Sequence, residues 1–210
     1  MTGTGNREKS IVLVGGGGHC RSCIDLLEQQ GEFRIAGIVD KADKRGQRIL
    51  GHRVFANDDE LKTLAKDYRY FLITIGQIQS AEPRKRTFCL VRQHGGTLPV
   101  VRSPLAYVSR YAEIGQGTVI MPYAMVGPGA VIGENCIVNT RALVEHDVTV
   151  GNHCHLATGA IVNGGCRLED EVFVGSGAVI RELVRIVRGA IVGCGVTVIR
   201  DITTEQEIVY

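Results

Sequence analysis

The chain contains no tryptophan, and aromatic residues make up 5% of its 210 positions. A core built from it must rest on aliphatic side chains. No apolar run approaches the roughly 18 residues that cross a bilayer, so no membrane span is expected. Neither sign of charge is in excess: the formal net charge is +2. No basic run with interleaved aromatics occurs, which argues against a nucleic-acid partner. The opening MTGTGNREKS lacks the apolar stretch of a secretory signal and reads as a short disordered tail, residues 1–10, of a cytoplasmic protein. The seven cysteines are an odd number, and the lone CxxC of Cys20 and Cys23 has no second pair to complete a zinc site. Cys20, Cys23, Cys89, Cys136, Cys154, Cys166 and Cys194 are all read as reduced core thiols.

What the chain has is a period. From Val108 to Val198 every sixth residue is aliphatic, sixteen positions without exception, among them Ile120, Val126, Val144, Val162 and Ile180. A second series two residues upstream, from Ala112 to Val196, is always small or valine. A helix would scatter such positions around its surface. A short strand and a tight turn every six residues would point each aliphatic side chain inward, with the small residue beside it at a narrow corner. Three such units close a triangular coil of eighteen residues, and coils stack about 4.8 Å apart as in a parallel sheet. The reading is a parallel β-helix over residues 103–202, with 203–210 as a C-terminal tail.

Residues 11–102 read differently. Ile11–Val14 is an apolar strand, followed by Gly15 to Gly18, His19 and a helical segment over Arg21–Gln29; a second strand, Ile35–Val39, ends at Asp40. This is a βαβ unit whose glycine turn meets a helix N-terminus, where backbone N–H groups hold phosphate. Asp40 lies at the spacing of an acid that contacts ribose; the plainer reading is glycines that only make a tight turn. Asp58–Lys66, capped by Asn57 or Asp58, and Ala81–His94 predict two more helices, and Tyr70–Ile75 and Leu98–Val100 two more strands. The whole is a Rossmann-like α/β domain, too short for a full dinucleotide fold and better suited to a mononucleotide.

The order IVLVGGGGH, then GIVD, then SPLAYVS, then hexapeptides carrying VNTRALVEHD resembles the bacterial hexapeptide-repeat sugar acetyltransferases, which include sialic-acid O-acetyltransferases and UDP-amino-sugar N-acetyltransferases. The likeness runs from about residue 11 to 202. It implies a left-handed β-helix, acetyl-CoA as co-substrate with no metal, a homotrimer with acetyl-CoA between neighbouring β-helices, and a place in surface glycan synthesis. It implies His146 as catalytic base with Asp147 orienting it, and Asn139 in the same pocket. It implies acetyl-CoA contacts at His155, Gly164 and Ser176, and nucleotide-sugar contacts at Gly17, Gly18, His19 and Asp40. The acceptor would be a nucleotide-linked sugar or a sialic acid.

The chemistry agrees with these residue types. A sugar amine or hydroxyl attacking a thioester must lose a proton, and an imidazole accepts it near neutral pH. Backbone N–H groups at a β-helix turn can stabilise the oxyanion, so direct transfer in a ternary complex is expected. Glu145 reads as a solvated neighbour or as support for the base, His153 as surface or cleft, and His52 and His94 as surface. Arg181, Arg185 and Arg188 fit either CoA phosphates or a solvated basic face. The chain ends in ITTEQEIVY rather than the family's valine-glycine-x-proline-alanine segment and basic tail, which leaves the adenine end of the CoA site open. Two other functions fit the pattern: a zinc enzyme like the γ-class carbonic anhydrases, using His146, His153 and His155, and a nucleotide-sugar sensor without turnover.

Overall fold

The computed structural model describes residues 9–210. Most of the expected N-terminal tail, residues 1–8, lies outside the described residues, and Lys9 and Ser10 already belong to the first strand. That strand, β1 (Lys9–Val14), is followed by α1 (Gly18–Gln30), β2 (Phe33–Val39), β3 (Arg48–Ile49), β4 (His52–Ala56), α2 (Leu61–Asp67), β5 (Tyr70–Ile73) and α3 (Glu82–Gln93). The sheet order is β3-β4-β2-β1-β5, parallel except for the β3–β4 hairpin. The chain order reverses at β1, between β2 and β5, and at such a switch point the strand ends open a crevice. The glycine turn lies there, and α1 begins at Gly18, three residues earlier than expected. The hairpin was not foreseen: its strands are short, and its turn is made by Leu50 and Gly51 at φ 45° and 87°. The expected helix start is a 3-10 turn, Asp58–Glu60, closed by a capping box between Asn57 and Glu60, and α2 follows it directly at Leu61.

From β6 (Val101–Arg102) to β22 (Thr197–Val198) every strand has two residues. They form three parallel sheets, the sides of a left-handed triangular β-helix. From Tyr107–Val108 onward the second residue of each of these strands is the predicted aliphatic, and nearly all are buried. Val108 and Ile114, in the first coil, are partly covered. The small series fills the same column, with Ala130, Ala142, Ala160 and Ala178 at 1% exposure or less. Burying each aliphatic contributes about 1.5–3 kcal/mol. The β-helix takes its first strand at Val101, so no domain strand forms over Leu98–Val100. Thr97 alone bridges to Tyr70.

The three sides differ. One, carrying Val119, Ile137, His155 and Phe173 outward, is covered by the α/β domain. Phe88 of α3 meets His153 edge-on at 5.6 Å, Lys85 pairs with Glu171 at 2.7 Å, and Arg84 donates to the Asn135 carbonyl. The second side carries Tyr107, Met125, Leu143, Ile161 and Val179 outward, and is apolar and uncovered in the single chain. The third carries Glu113, Val131, Thr149, Arg167 and Arg185. The segment 203–210 is no loose tail: β23 (Ile208–Val209) extends the covered sheet. Five cysteines are buried thiols, but Cys89, on the outer face of α3, and Cys194, at a corner of the β-helix off the inward-facing positions, are exposed, contrary to the reading of all seven as core thiols.

Adjacent residues separate core from surface within one strand. Ile132→Ala, at a 1% exposed position, is expected to lower unfolding free energy by about 2–5 kcal/mol. Val131→Ala, on the outer face at 41% exposure, is expected to stay within about 0.5 kcal/mol of wild type. Chemical denaturation of both variants checks this.

Candidate active site

Two cavities meet where the α/β domain sits on the β-helix. The first, about 490 Å³, is bounded by Gly18, His19, Ser22, Gly76 and Gln77 on one side and by Asn139, Thr140, His155 and Thr158 on the other. The second, about 570 Å³, is mainly apolar and runs down the β-helix past Phe173, Ser176, Ile191 and Gly193 to Tyr210. Both include Ile78, Asn139, His155 and Thr158.

The upper cavity opens on the N-terminus of α1. Gly17 is the N-cap and supplies no side chain, and the first turn carries no acid. Its amides are therefore open to an anion. Asp40 braces this turn rather than standing free. Its Oδ2 accepts from the Gly16 amide at 3.1 Å and from Lys44 at 2.8 Å, and its Oδ1 from the Lys41 amide at 2.8 Å. Burial alone would raise its carboxyl, but these donors hold it below the usual range. His19 is held near 3 chiefly by burial, and its Nε2 lies 3.4 Å from Cys23 Sγ.

His155 links the two domains. Its Nδ1–H donates to the Gln77 carbonyl at 2.7 Å, so Nε2 is the acceptor and receives the Asn139 amide at 3.1 Å. Burial lowers it to about 4, and it is neutral at pH 7. Both ring nitrogens are engaged, which suits positioning better than proton transfer.

His146 lies elsewhere. It occupies the corner between the apolar and third sides, with its side chain 62% exposed. Its Nδ1 is 2.9 Å from Asp147 Oδ2. Nδ1–H donates to that carboxylate, and the Nε2 lone pair is left free. Asp147 holds φ at 58°, a strained value for a residue with a side chain. Gly164, one coil further, lies directly under the ring: a Cβ there would meet His146 Nε2 at 2.7 Å. Within one chain, therefore, His146, Asp147 and Gly164 share one corner, while Asn139, His155 and Ser176 line the cavities at another. The expected common pocket of His146 and Asn139 does not form within the chain, because strand Leu143–Val144 separates them.

The remaining expectations sort by corner. His153 is at the third corner, against Phe88 and 2.9 Å from Asn135 Nδ2. His146, His153 and His155 thus diverge, and among the described residues no three His, Cys, Asp or Glu side chains converge on a metal position. His52 pairs with Glu28, and His94 ends α3. Arg181 stands at the His146 corner two coils on, Arg185 on the third side, and Arg188 near Asp170 at 3.5 Å. The sequence reading missed Gln77, Ile78, Thr158 and Tyr210. No motif marks them, since only the packing of the two domains brings them together.

The histidine shift has a measurable consequence. His155 has a native value near 4 against about 6.5 unfolded. Between these the unfolded chain binds a proton that the native chain does not, so stability from this residue is full above the upper value and falls as pH drops toward the lower. Denaturant unfolding at about pH 7.5 and about pH 5 should show a smaller acid loss for His155→Gln than for wild type, by up to about 1.4 kcal/mol per pH unit. Equal losses would contradict the assignment.

Residues 10–88 match the family described as PglD N-terminal domain, and residues 111–146 match bacterial transferase hexapeptide (six repeats). No curated protein matches the sequence. Among solved structures, a histidine-to-alanine mutant of GDP-perosamine N-acetyl transferase from Caulobacter crescentus, in complex with CoA and GDP-perosamine, superposes with a TM-score of 0.88 at 31% identity, over 95% of this chain and 92% of that one. The acetyltransferase domain of PglB from Neisseria gonorrhoeae FA1090, in complex with acetyl coenzyme A, gives 0.84 at 28% identity, over 93% of each chain. With its glycine-turn α/β domain docked on a hexapeptide β-helix, the chain belongs to the bacterial hexapeptide-repeat sugar acetyltransferases and is an acyltransferase.

Proposed function

We propose that this chain moves the acetyl group of acetyl-CoA to the amine of a nucleotide-linked amino sugar, in surface glycan synthesis in the cytoplasm, with His146 as general base. The observation that carries the reading is the meeting of two cavities at Ile78, Asn139, His155 and Thr158. One cavity begins at an open helix N-terminus suited to phosphate, and the other is a long apolar channel suited to a pantetheine arm. The Caulobacter relative was solved with both CoA and GDP-perosamine, one ligand of each kind.

In this reading the nucleotide phosphates rest on the amides of Gly17 and Gly18, with His19 beside them, and the sugar amine reaches the junction. Its nitrogen attacks the thioester carbonyl, and His146 Nε2 takes the proton that the nitrogen sheds. Asp147 stabilises the imidazolium. The tetrahedral oxyanion, held by amide donors of the corner, then collapses and expels the CoA thiolate. No acyl-enzyme forms.

His146 reaches the junction from a second copy. The uncovered apolar side, with Tyr107 at 59% and Met125 at 41% exposure, suits burial in a closed threefold ring. Such a ring would set the His146 corner of one copy against the Asn139 corner of the next. Asn139, His155 and Ser176 then belong to one wall of the shared site, and His146, Asp147 and Gly164 to the other.

CoA release, followed with a thiol reagent, tests the reaction against UDP- and GDP-linked amino sugars, free sialic acid and CMP-sialic acid. Turnover on an amino sugar is expected, reduced about 10²–10⁴-fold in His146→Ala. Turnover on a sialic acid alone would make this an O-acetyltransferase, and nucleotide-sugar binding with no turnover would favour a sensor. Gly164→Ala, which displaces the His146 ring, is expected to lower kcat with little change in either KM; unchanged kcat would contradict the stacking role.

A further inference from the structure

Among the described residues one lysine or arginine side chain is buried, and it has no anion beside it. Arg84 is 1% exposed. It stands in the first turn of α3, the positive end of that helix and the less favourable end for a cation. It donates to the Asn135 carbonyl, and its Nε finds no acceptor. Lys85 and Arg92 on the same helix each take an acid of the β-helix, Glu171 and Glu134, but none of the described carboxylates pairs with Arg84. The groups around it are thiols and imidazoles. Cys136 and Cys154 give their protons to the carbonyls of Gly151 and Glu169, each at 3.1 Å, so both are neutral thiols, and burial raises Cys23 on α1. A buried arginine is ordinarily paired. Here the fold keeps a charge that it does not itself neutralise.

The place of this charge shows what it serves. Arg84 lies behind the wall of the upper cavity. Burial first, and the Arg84 charge after it, hold down His19 and His155, one from each domain, and both line that cavity. Within the chain no lysine, arginine or carboxylate lines the cavity, and its two histidines are neutral at pH 7. Lys44 is engaged by Asp40, and Arg21 on α1 is exposed, where water and salt screen it. An anion on the amides of α1 therefore has Arg84 as its buried counter-charge. Across protein rather than water, such a charge acts beyond contact distance.

We propose that Arg84 is the fixed counter-charge of the nucleotide diphosphate, acting through the cavity wall without touching the ligand, so that the enzyme takes sugars that carry phosphate and passes over free ones. The inference rests on the acceptor being nucleotide-linked. It makes Arg84 a positioning residue with no part in proton transfer. Ligand binding neutralises a charge that the free enzyme leaves uncompensated.

Calorimetry tests this with UDP, UMP and uridine, and with the matching guanosine series, on wild type, Arg84→Met and Arg84→Lys. Arg84→Met, which fills the space without the charge, is expected to weaken diphosphate binding about tenfold, monophosphate binding less, and nucleoside binding not at all. The losses should persist between about 50 and about 300 mM salt, since the charge is buried. Arg84→Lys, which keeps the charge, should stay near wild type. Proton NMR supplies a readout that a packing role would not move: His19 and His155 should titrate at higher pH in Arg84→Met and not in Arg84→Lys. Equal losses on diphosphate and nucleoside, or unmoved histidines, would overturn the proposal in favour of packing. Arg84→Gln, which keeps a donor for the Asn135 carbonyl, takes the place of Arg84→Met if that variant does not fold. If neither neutral variant folds, the charge serves the fold and the proposal falls. A wild type that binds no nucleotide removes the reading beneath the proposal. A wild type and Arg84→Met that bind diphosphates equally sink the proposal alone.

Discussion

A six-residue period that points one aliphatic side chain inward per unit leaves the chain few freedoms. Each strand is two residues long, each coil three strands, and the corners must fall in register because the amide of one coil bonds the carbonyl of the next. The Gly165 amide, for example, donates to the His146 carbonyl at 3.0 Å. A column of buried Val, Ile, Leu and Ala fixes the corners as firmly as the core. Side chains leave the repeat at the corners and at the outward residue of each strand, and the site draws on both, His146 from a corner and His155 from a strand. His146 is held by a neighbour at positive φ and by a glycine beneath its ring, both products of the corner's geometry.

The α/β domain uses the same regularity in another way. Its α3 and the 76–81 loop lie along one side of the β-helix, and their contacts decide where the nucleotide end of the site meets the transfer end. Arg84 is fully buried there, donates to the Asn135 carbonyl, and has its Nε without a partner. Burial lowers it to about 10. Such a group costs stability unless it is paired and hydrogen-bonded. Phe88 and Leu98 are buried and the His155–Gln77 bond ties the two domains together at the junction. The histidines that line the cavities stay neutral beside it, and neutral imidazoles do not compete with a sugar amine for phosphate or for a counterion.

The β-helix was legible because its signal is arithmetic: a six-residue period held over sixteen positions fits neither a helix nor a simple strand. The glycine turn and Asp40 were legible as a βαβ signature, though Asp40 proved to be engaged by Gly16, Lys41 and Lys44 rather than open. His146 and Asp147 came from a local motif, and their hydrogen bond is local too. What could not be read was anything set by the docking of two domains: Gln77 and Ile78 sit in a loop without pattern, and the grouping of Asn139 with His146, which the family resemblance implied, puts together residues that one chain holds at different corners. In a triangular coil seven residues span a side. The terminal strand was illegible for a related reason, since ITTEQEIVY leaves the period and its pairing with Ile191 and Val192 depends on the stack already formed.

The central claim is that the base and the junction belong to different copies of the chain, and subunit mixing tests it most directly. His146→Ala and Asn139→Ala, each expected to be nearly inactive alone, would be co-expressed with different tags, purified as mixed assemblies and assayed for CoA release. If the site is shared, random mixing restores some sites with both residues intact, about a quarter in an equal mixture of a closed ring. Activity well above either variant alone is the predicted result. Mixed assemblies no more active than the average of their parents would place both residues in one chain's site and contradict the account.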